Sequence, residues 1–459
     1  MATRFDAIII GTGQAGPPLA GRLTKAGRRV AIIERRRFGG TCVNYGCTPT
    51  KALVASARAA HMARRAADFG VAIEGSVRVD MAKVKARKDQ IAGRSNESIT
   101  AYIKDMDNSV VFQEHAVFVA DKRLRVGNET IEADTIFINV GARAAIPPIE
   151  GLGQVPYLTN CSILDLATLP ESVVILGGGY VGVEFGQMYQ RFGSEVTIVD
   201  RAPRLMSSED EDVSKEIRKI FENEGIEVIT GAKVEAVARD GDGIRLTLSD
   251  GDGRRTIAGS HFLVAAGRKP NTDDLGLETT AIEVDDKGYI RVDDYLRTSV
   301  DGVFALGDCN GRGAFTHTSY NDYEIVAANL LDGDDRKVSD RFTAYAAYID
   351  PPFARVGASE TELRKAGRKA LIARLRMSEV ARAREMSETQ GFMKVMVDAH
   401  TRRILGAQMI GTRCDEVIHC VLYVMYTGAP YTAIERSMPI HPNVAELLPT
   451  LLKQLEPLQ

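Results

Sequence analysis

Two cysteines stand five residues apart in the stretch Gly39-Gly40-Thr41-Cys42-Val43-Asn44-Tyr45-Gly46-Cys47-Thr48-Pro49-Thr50-Lys51. Pro49 fits the first turn of a helix with Thr48 as its cap, and Ala-rich sequence continues over residues 51–67. Cys47 then sits at a helix N-terminus, where the positive end of the dipole favours thiolate over thiol. A regular helix would hold the two Cα atoms too far apart for a relaxed disulfide, and Gly46 lets the backbone bend just before Cys47. The chemistry this allows is a redox-active thiol pair. Two unconnected buried thiols would show the same spacing, and this stretch alone leaves both readings open.

The elements that must position such a pair lie on either side of it. An apolar strand, residues 5–10, ends in Gly11-Thr12-Gly13-Gln14-Ala15-Gly16. A helix and a second strand, residues 29–33, follow and close on Glu34, 23 residues after Gly11. Such a turn brings backbone N–H groups and a helix N-terminus to a pyrophosphate, and an acid at this offset reaches a ribose. Pro17 and Pro18 are tolerable there because first-turn N–H groups lack an intrahelical partner. The unit returns at residues 173–176, with the turn Gly177-Gly178-Gly179-Tyr180-Val181-Gly182 and a helix over 183–192. The next strand, 195–199, ends at Asp200, again 23 residues after the first glycine. Two dinucleotide folds imply two dinucleotides. With a cysteine pair between them, the simplest set is a nicotinamide, a flavin and a disulfide.

A chain of 459 residues suggests about three domains. With 44% hydrophobic and 26% charged residues it can build an ordinary core. The net charge of −3 and the mixed distribution of both signs point away from nucleic acid. Six cysteines do not make a disulfide scaffold in a chain this long, so a reducing compartment is expected. The strand pattern begins almost at once, without a charged leader, and no apolar run of about 18 residues occurs. The expectation is a soluble cytoplasmic protein with no membrane partner.

Residues 52–106 read as helical and 110–140 as β-rich. The segment Thr135-Ile136-Phe137-Ile138-Asn139-Val140-Gly141-Ala142 has an echo in Phe262-Leu263-Val264-Ala265-Ala266-Gly267-Arg268. Each reads as a strand returning into its own nucleotide fold. Pro147-Pro148 marks a linker, and residues 301–309 form a strand ending in Gly307-Asp308. From about residue 342 the composition shifts to several strands, a helix over 414–426 and a last segment holding His441.

Together these residues resemble the flavoprotein disulfide reductases, the class I pyridine nucleotide-disulfide oxidoreductases, which include lipoamide dehydrogenase, glutathione reductase and mercuric reductase. The resemblance covers essentially the whole chain. It rests on the two GxGxxG turns, the CxxxxC with its following Lys51, the strand ending Gly307-Asp308 and a C-terminal His-Pro…Glu. The wording Cys-Val-Asn-Tyr-Gly-Cys-Thr-Pro-Thr-Lys resembles most the mercuric-reductase-like branch. An α/β fold is implied, with two Rossmann-like dinucleotide-binding domains and a C-terminal α+β dimerisation domain. The implied boundaries are 1–146 and 273–340 for the FAD-binding domain, 147–272 for the NAD(P)-binding domain and 341–459 for the interface domain.

The resemblance also implies roles. Cys47 would lie against the flavin in a charge-transfer complex, and Cys42 would be the interchange thiol. Lys51 would approach flavin N5 and pair with Glu184, placing positive charge where a reduced flavin gathers negative charge. Gly11, Gly13, Gly16, Glu34, Gly40, Thr41, Gly141, Asp308 and His317 would bind FAD. His317 could equally be a satisfied core histidine. Gly177, Gly179, Gly182, Asp200 and Gly267 would serve the second nucleotide, with Tyr180 as the gate over the nicotinamide pocket. His441 and Glu446 match an acid–base pair, the carboxylate fixing the imidazole's tautomer. Asn443-Val444-Ala445-Glu446 also reads as a capping box. In the family this histidine reaches the partner's cysteines, so a homodimer is implied.

Asp200 accepts hydrogen bonds from a 2′-hydroxyl and repels a 2′-phosphate, which favours NAD(H), although Arg201 and Arg204 follow at once. No cysteine follows Cys420 and no N-terminal CxxC is present, which argues against mercury as substrate. Cys414 and Cys420 read as core, Cys161 and Cys309 as structural, and no metal site is expected. Tyr431 is a candidate for the substrate cleft. The function expected is an NAD(P)H-dependent reductase, passing electrons through Cys42 and Cys47 to a small-molecule disulfide or thiol-reactive acceptor. The alternatives are a metal-ion (Hg(II) or Cu(II)) or quinone reductase, a dihydrolipoamide dehydrogenase, and a non-catalytic FAD-binding redox sensor.

Overall fold

The run Ala7-Ile8-Ile9-Ile10 shows no alternation, as a strand covered on both faces requires. In a computed structural model, which describes residues 2–251 and 253–458, it closes the strand Thr3–Ile10 inside a seven-stranded sheet. Val30–Ile33 pairs parallel on one side, with Ile9 opposite Ile32. Glu129–Ile138 pairs parallel on the other, with Ile9 opposite Phe137. Val303–Ala305 then adds parallel to Glu129–Ile138. The first nucleotide fold thus draws strands from two widely separated stretches of chain.

The second fold is a four-stranded parallel sheet in the order Glu227–Thr230, Glu195–Asp200, Ser172–Leu176, His261–Val264. Both echo segments rejoin their own sheets, as their patterns predict. A three-stranded antiparallel sheet over Lys233–Asp240, Gly243–Asp250 and Gly253–Gly259 accompanies it, and the sequence reading did not foresee it. Just beyond the returning strands, Ala142–Ala144 and Arg268–Pro270 pair as a short antiparallel ribbon. The C-terminal part is a six-stranded antiparallel sheet with the helix Cys414–Thr427 packed on it.

Several local expectations need correction. The helix after the cysteines begins at Cys47 itself, with Gly46 rather than Thr48 at the cap position, and it ends at Arg64. The helical region expected over 52–106 is two helices, Cys47–Arg64 and Met81–Lys104. The second starts where the Asp80 carboxylate accepts the Lys83 N–H at 3.0 Å. The helix of the second nucleotide fold begins at Tyr180, three residues early. Among the described residues no helix is long and apolar enough to cross a membrane.

One core joins all the parts that meet at the cysteines. Leu53 and Ala57 of the helix Cys47–Arg64 pack with Phe185 and Phe192 of Tyr180–Phe192 and with Phe353 and Ile410 of the C-terminal sheet. Each of these aromatic side chains contributes roughly 1.5–3 kcal/mol by its burial, so the cysteine-bearing helix is fixed to both neighbours.

Candidate active site

Gly46, at φ −135° and ψ −120°, separates a short helix, Gly40–Tyr45, from Cys47–Arg64. The bend brings the two sulfurs together, and the thiols of Cys42 and Cys47 are hydrogen-bonded rather than unconnected. The bond from Cys42 draws Cys47 down to about 6, with the Thr316 hydroxyl and the Lys51 charge adding to the effect. Cys42 moves the other way, raised by the same bond and by burial. Thr316 stands at the first turn of the helix Thr316–Ala327, and its hydroxyl lies 3.1 Å from Cys47 Sγ. The two opposite shifts favour negative charge on Cys47 over Cys42.

Lys51 follows one turn later. Its Nζ lies 3.0 and 2.7 Å from the two Glu184 oxygens and 4.5 Å from the centre of the Tyr348 ring. Tyr348 also donates its backbone N–H to Glu184 at 2.9 Å. The cation is therefore held between the Glu184 carboxylate and the Tyr348 ring, where its charge is felt at Cys47.

The two glycine turns are built alike. Gly11 and Gly177 take φ values of +99° and +112°, and a Cβ on either would lie 2.3 or 2.4 Å from the carbonyl oxygen of Asn139 or Ala265. Those residues follow the returning strands, so only glycine permits the approach. A Cβ on Gly16 or Gly182 would meet the carbonyl of Gly11 or Gly177 at 2.4 or 1.8 Å. The acids match too. Glu34 Oε2 accepts from the Thr12 N–H and hydroxyl at 3.0 and 2.8 Å. Asp200 Oδ2 accepts from the Gly178 N–H at 2.6 Å, and Oδ1 from Ala202 at 2.8 Å. Each carboxylate grips the residue after the first glycine of its own turn, and both line one cavity.

A single cavity of about 2330 Å³ runs past both turns and the thiol pair. Gly11, Gly13, Glu34, Gly40, Thr41, Gly141, Asp308 and His317 line it on the first side. Gly177, Gly179, Tyr180, Asp200 and Gly267 line it on the second, while Gly16 and Gly182 lie behind it within their helices. Two buried donors beside it have no protein partner, Asn139 Nδ2 and Arg268 Nε. Gly179 is open, with nothing within 4 Å of a Cβ. Open glycines, unpartnered donors and two helix N-termini suit two polyphosphate-linked dinucleotides, so the residues present fit FAD and a nicotinamide coenzyme.

Asp308 pairs with Arg268 at 3.2 Å, and burial raises its carboxyl against that pull. His317 stacks on Phe315 at 5.5 Å and donates from Nε2 to the Ala344 carbonyl. Burial lowers its basicity and keeps it neutral. Tyr180 packs edge-on against Phe315 and Tyr345 and donates its hydroxyl to Glu209 at 3.0 Å.

His441 and Glu446 do not line this cavity. His441 Nδ1 lies 2.9 Å from Glu446 Oε2, its ring 74% exposed and the carboxylate only 11%. The capping box is half made. Asn443 Oδ1 accepts the Glu446 N–H at 2.9 Å, but the Glu446 carboxylate turns to His441 and not back to Asn443. Met438 and Ile440, just before the histidine, are 95% and 81% exposed, as apolar side chains awaiting a covering surface would be.

The remaining candidates divide. Cys309 and Cys414 are buried, but Cys420 is exposed and not core. Tyr431 packs with Arg402 and does not line the cavity. Sequence reading singles out neither Thr316 nor Tyr348 nor Glu209. They reach the site from distant chain, and no local spacing announces them. No group of three side chains able to hold a metal ion occurs among the described residues.

The family model described as pyridine nucleotide-disulphide oxidoreductase matches residues 5–322, and the dimerisation domain of the same description matches 343–452. The probable pyridine nucleotide-disulfide oxidoreductase RclA of Escherichia coli (strain K12) is 36% identical over 453 residues, covering 97% of this chain and 98% of its own. A mercuric reductase of Streptomyces lividans is 34% identical, covering 97% and 95%. The solved structure described as the Cu(II) complex of HOCl-induced flavoprotein disulfide reductase RclA from Escherichia coli superposes with a TM-score of 0.90. It is 35% identical and covers 98% of this chain and 99% of that one.

Proposed function

The chain belongs to the pyridine nucleotide-disulphide oxidoreductases, and on that premise we propose that it is a homodimeric, cytoplasmic, NAD(P)H-dependent reductase of small thiol-reactive acceptors. The observation that carries this reading is the setting of the thiol pair: Cys47 opens a helix, lies 3.1 Å from the Thr316 hydroxyl, and is followed one turn later by Lys51 held on Glu184.

FAD bound along the first turn supplies a two-electron relay between nicotinamide and dithiol. Glu34, Asn139, Gly13 and Asp308 would hold it, and Lys51, fixed by Glu184, would face its reacting edge. Against a disulfide acceptor, Nε2 of His441 of the partner subunit takes the Cys42 proton, Cys42 attacks one sulfur, and the other leaves as a thiol by receiving that proton back. Glu446 keeps that imidazole in the tautomer that presents Nε2. Cys47 then attacks Cys42, releases the second thiol and closes the Cys42–Cys47 disulfide. One NAD(P)H and one proton restore the dithiol, so each cycle yields NAD(P)⁺ and two thiols. Asp200 at the end of its strand supports NADH as the preferred coenzyme.

A second reading is a copper reductase. It is favoured by the Cu(II) complex of the E. coli relative, and here two Cu(II) ions would each take one electron per NAD(P)H. Turnover of the purified protein with NADH and NADPH against lipoamide, glutathione disulfide, a quinone, Cu(II) and Hg(II) separates these readings. Reduction of none of them, with the flavin still reduced by NAD(P)H, would leave the sensor alternative standing.

A further inference from the structure

Glu209 is an acid that the expected site does not use, yet it touches the tyrosine expected to cover the nicotinamide place. It is 1% exposed. Its Oε1 accepts from the hydroxyls of Tyr180 at 3.0 Å, Tyr345 at 2.8 Å and Ser208 at 3.2 Å. Its Oε2 accepts from Gln408 at 3.3 Å and lies 3.6 Å from Arg355 Nη1. Burial and the Glu209 charge both raise the Tyr180 phenol, so it stays a donor.

These partners come from different bodies. Tyr180 opens the helix behind the second glycine turn, whereas Tyr345, Arg355 and Gln408 stand on the C-terminal sheet. The Glu209 backbone is anchored as well. Its N–H donates to Met206, whose own N–H donates to Gly178 in the turn. Asp210, next along the chain, accepts from the fully buried Lys394 at 2.9 Å. The carboxylate is therefore a fixed point, to which the Tyr180 hydroxyl is held.

We propose that Glu209 is a positioning residue that latches Tyr180 over the nicotinamide place, so that coenzyme entry must break the phenol–carboxylate bond. This rests on the reading of Tyr180 as a gate. The latch can release because Tyr345, Ser208, Gln408 and Arg355 still satisfy the carboxylate when Tyr180 leaves. A charge-assisted bond lost on opening corresponds to about ten-fold in the coenzyme's apparent affinity.

The test is stopped-flow reduction of the flavin in the holoenzyme at increasing NADH or NADPH, giving a coenzyme Kd and a limiting rate. Tyr180→Phe, which keeps the ring, tightens Kd about ten-fold. Glu209→Gln shifts Kd in the same direction, and the double variant goes no further than Tyr180→Phe alone. Additive effects, or a Kd unmoved by Glu209→Gln while Tyr180→Phe moves it, overturn the latch. Should Glu209→Gln fail to fold, Tyr180→Phe decides alone, because it leaves the carboxylate's other partners intact and an unchanged Kd overturns the latch. Tyr180→Ala separates the two levels. If it alters neither Kd nor limiting rate, the gate itself is wrong and the latch falls with it. If it alters them while Tyr180→Phe does not, the gate stands and only the latch is lost.

Discussion

Lys51 Nζ lies between both oxygens of Glu184, at 3.0 and 2.7 Å, although 133 residues separate the two in sequence. The lysine follows the cysteines and the glutamate follows the second glycine turn, so the pair ties the thiol helix to the nicotinamide fold. Glu184→Gln leaves the cation without its counter-charge and free to turn to solvent. The expected result is flavin reduction by NAD(P)H slowed about a hundredfold, read by stopped flow, with the fold unchanged by circular dichroism.

The thiols have separate roles to reveal. Cys47→Ser removes the thiolate, so dithionite titration gives no long-wavelength band. Cys42→Ser keeps it and shows a band even before reduction. Loss of the band in both variants would contradict the assignment of charge to Cys47.

Acidity tests the same charge. Cys47 lies well below an ordinary thiol, at about 6, so its charged form is present above that value and is lost below it. The band of the two-electron-reduced protein should be full at pH 8 and fade as pH falls through about 6. A titration midpoint near that of a free cysteine would refute the lowering by Cys42, Thr316 and Lys51 together.

Glu446 separates catalysis from capping. Glu446→Gln loses the charge that orients His441 but keeps the backbone N–H that Asn443 caps. Turnover is expected to fall about a hundredfold at little cost in stability. Asn443→Ala does the reverse, costing about 1 kcal/mol in denaturant unfolding with turnover retained.

Lys394 offers a test of stability. Its ammonium is fully buried among Asp210, Asp212 and Glu360, at 2.8–3.2 Å. Lys394→Met leaves the buried Asp210 without a cation, while Glu360 and Asp212 keep Arg364 and Arg374, and should cost roughly 3–5 kcal/mol. A variant as stable as the parent in chemical denaturation would show that the acids find solvent.

How much of this could be read from the sequence follows from distance along the chain. The glycine turns, their acids and the cysteine pair are each set within about 25 residues, where backbone sterics and helix termini dictate residue type. Thr316 touches Cys47 from 269 residues away, and Tyr348 covers Lys51 from the start of the C-terminal part. No periodicity links such residues. Cys420 misled because an apolar helix has a second face: Cys414 turns to the sheet, while Cys420 and Tyr423 turn outward. The Thr48 cap failed for a local reason, since Gly46 already breaks the chain and lets Cys47 begin the helix.

Because Asp200 clasps Gly178 with one oxygen and Ala202 with the other, the acid proposed to read the coenzyme's ribose also holds the shape of the loop. Anyone retargeting this enzyme between the two nicotinamides by trimming that acid would slacken the phosphate cradle at the same stroke. Indifference to both coenzymes, rather than an exchange of one for the other, is what such a redesign should produce.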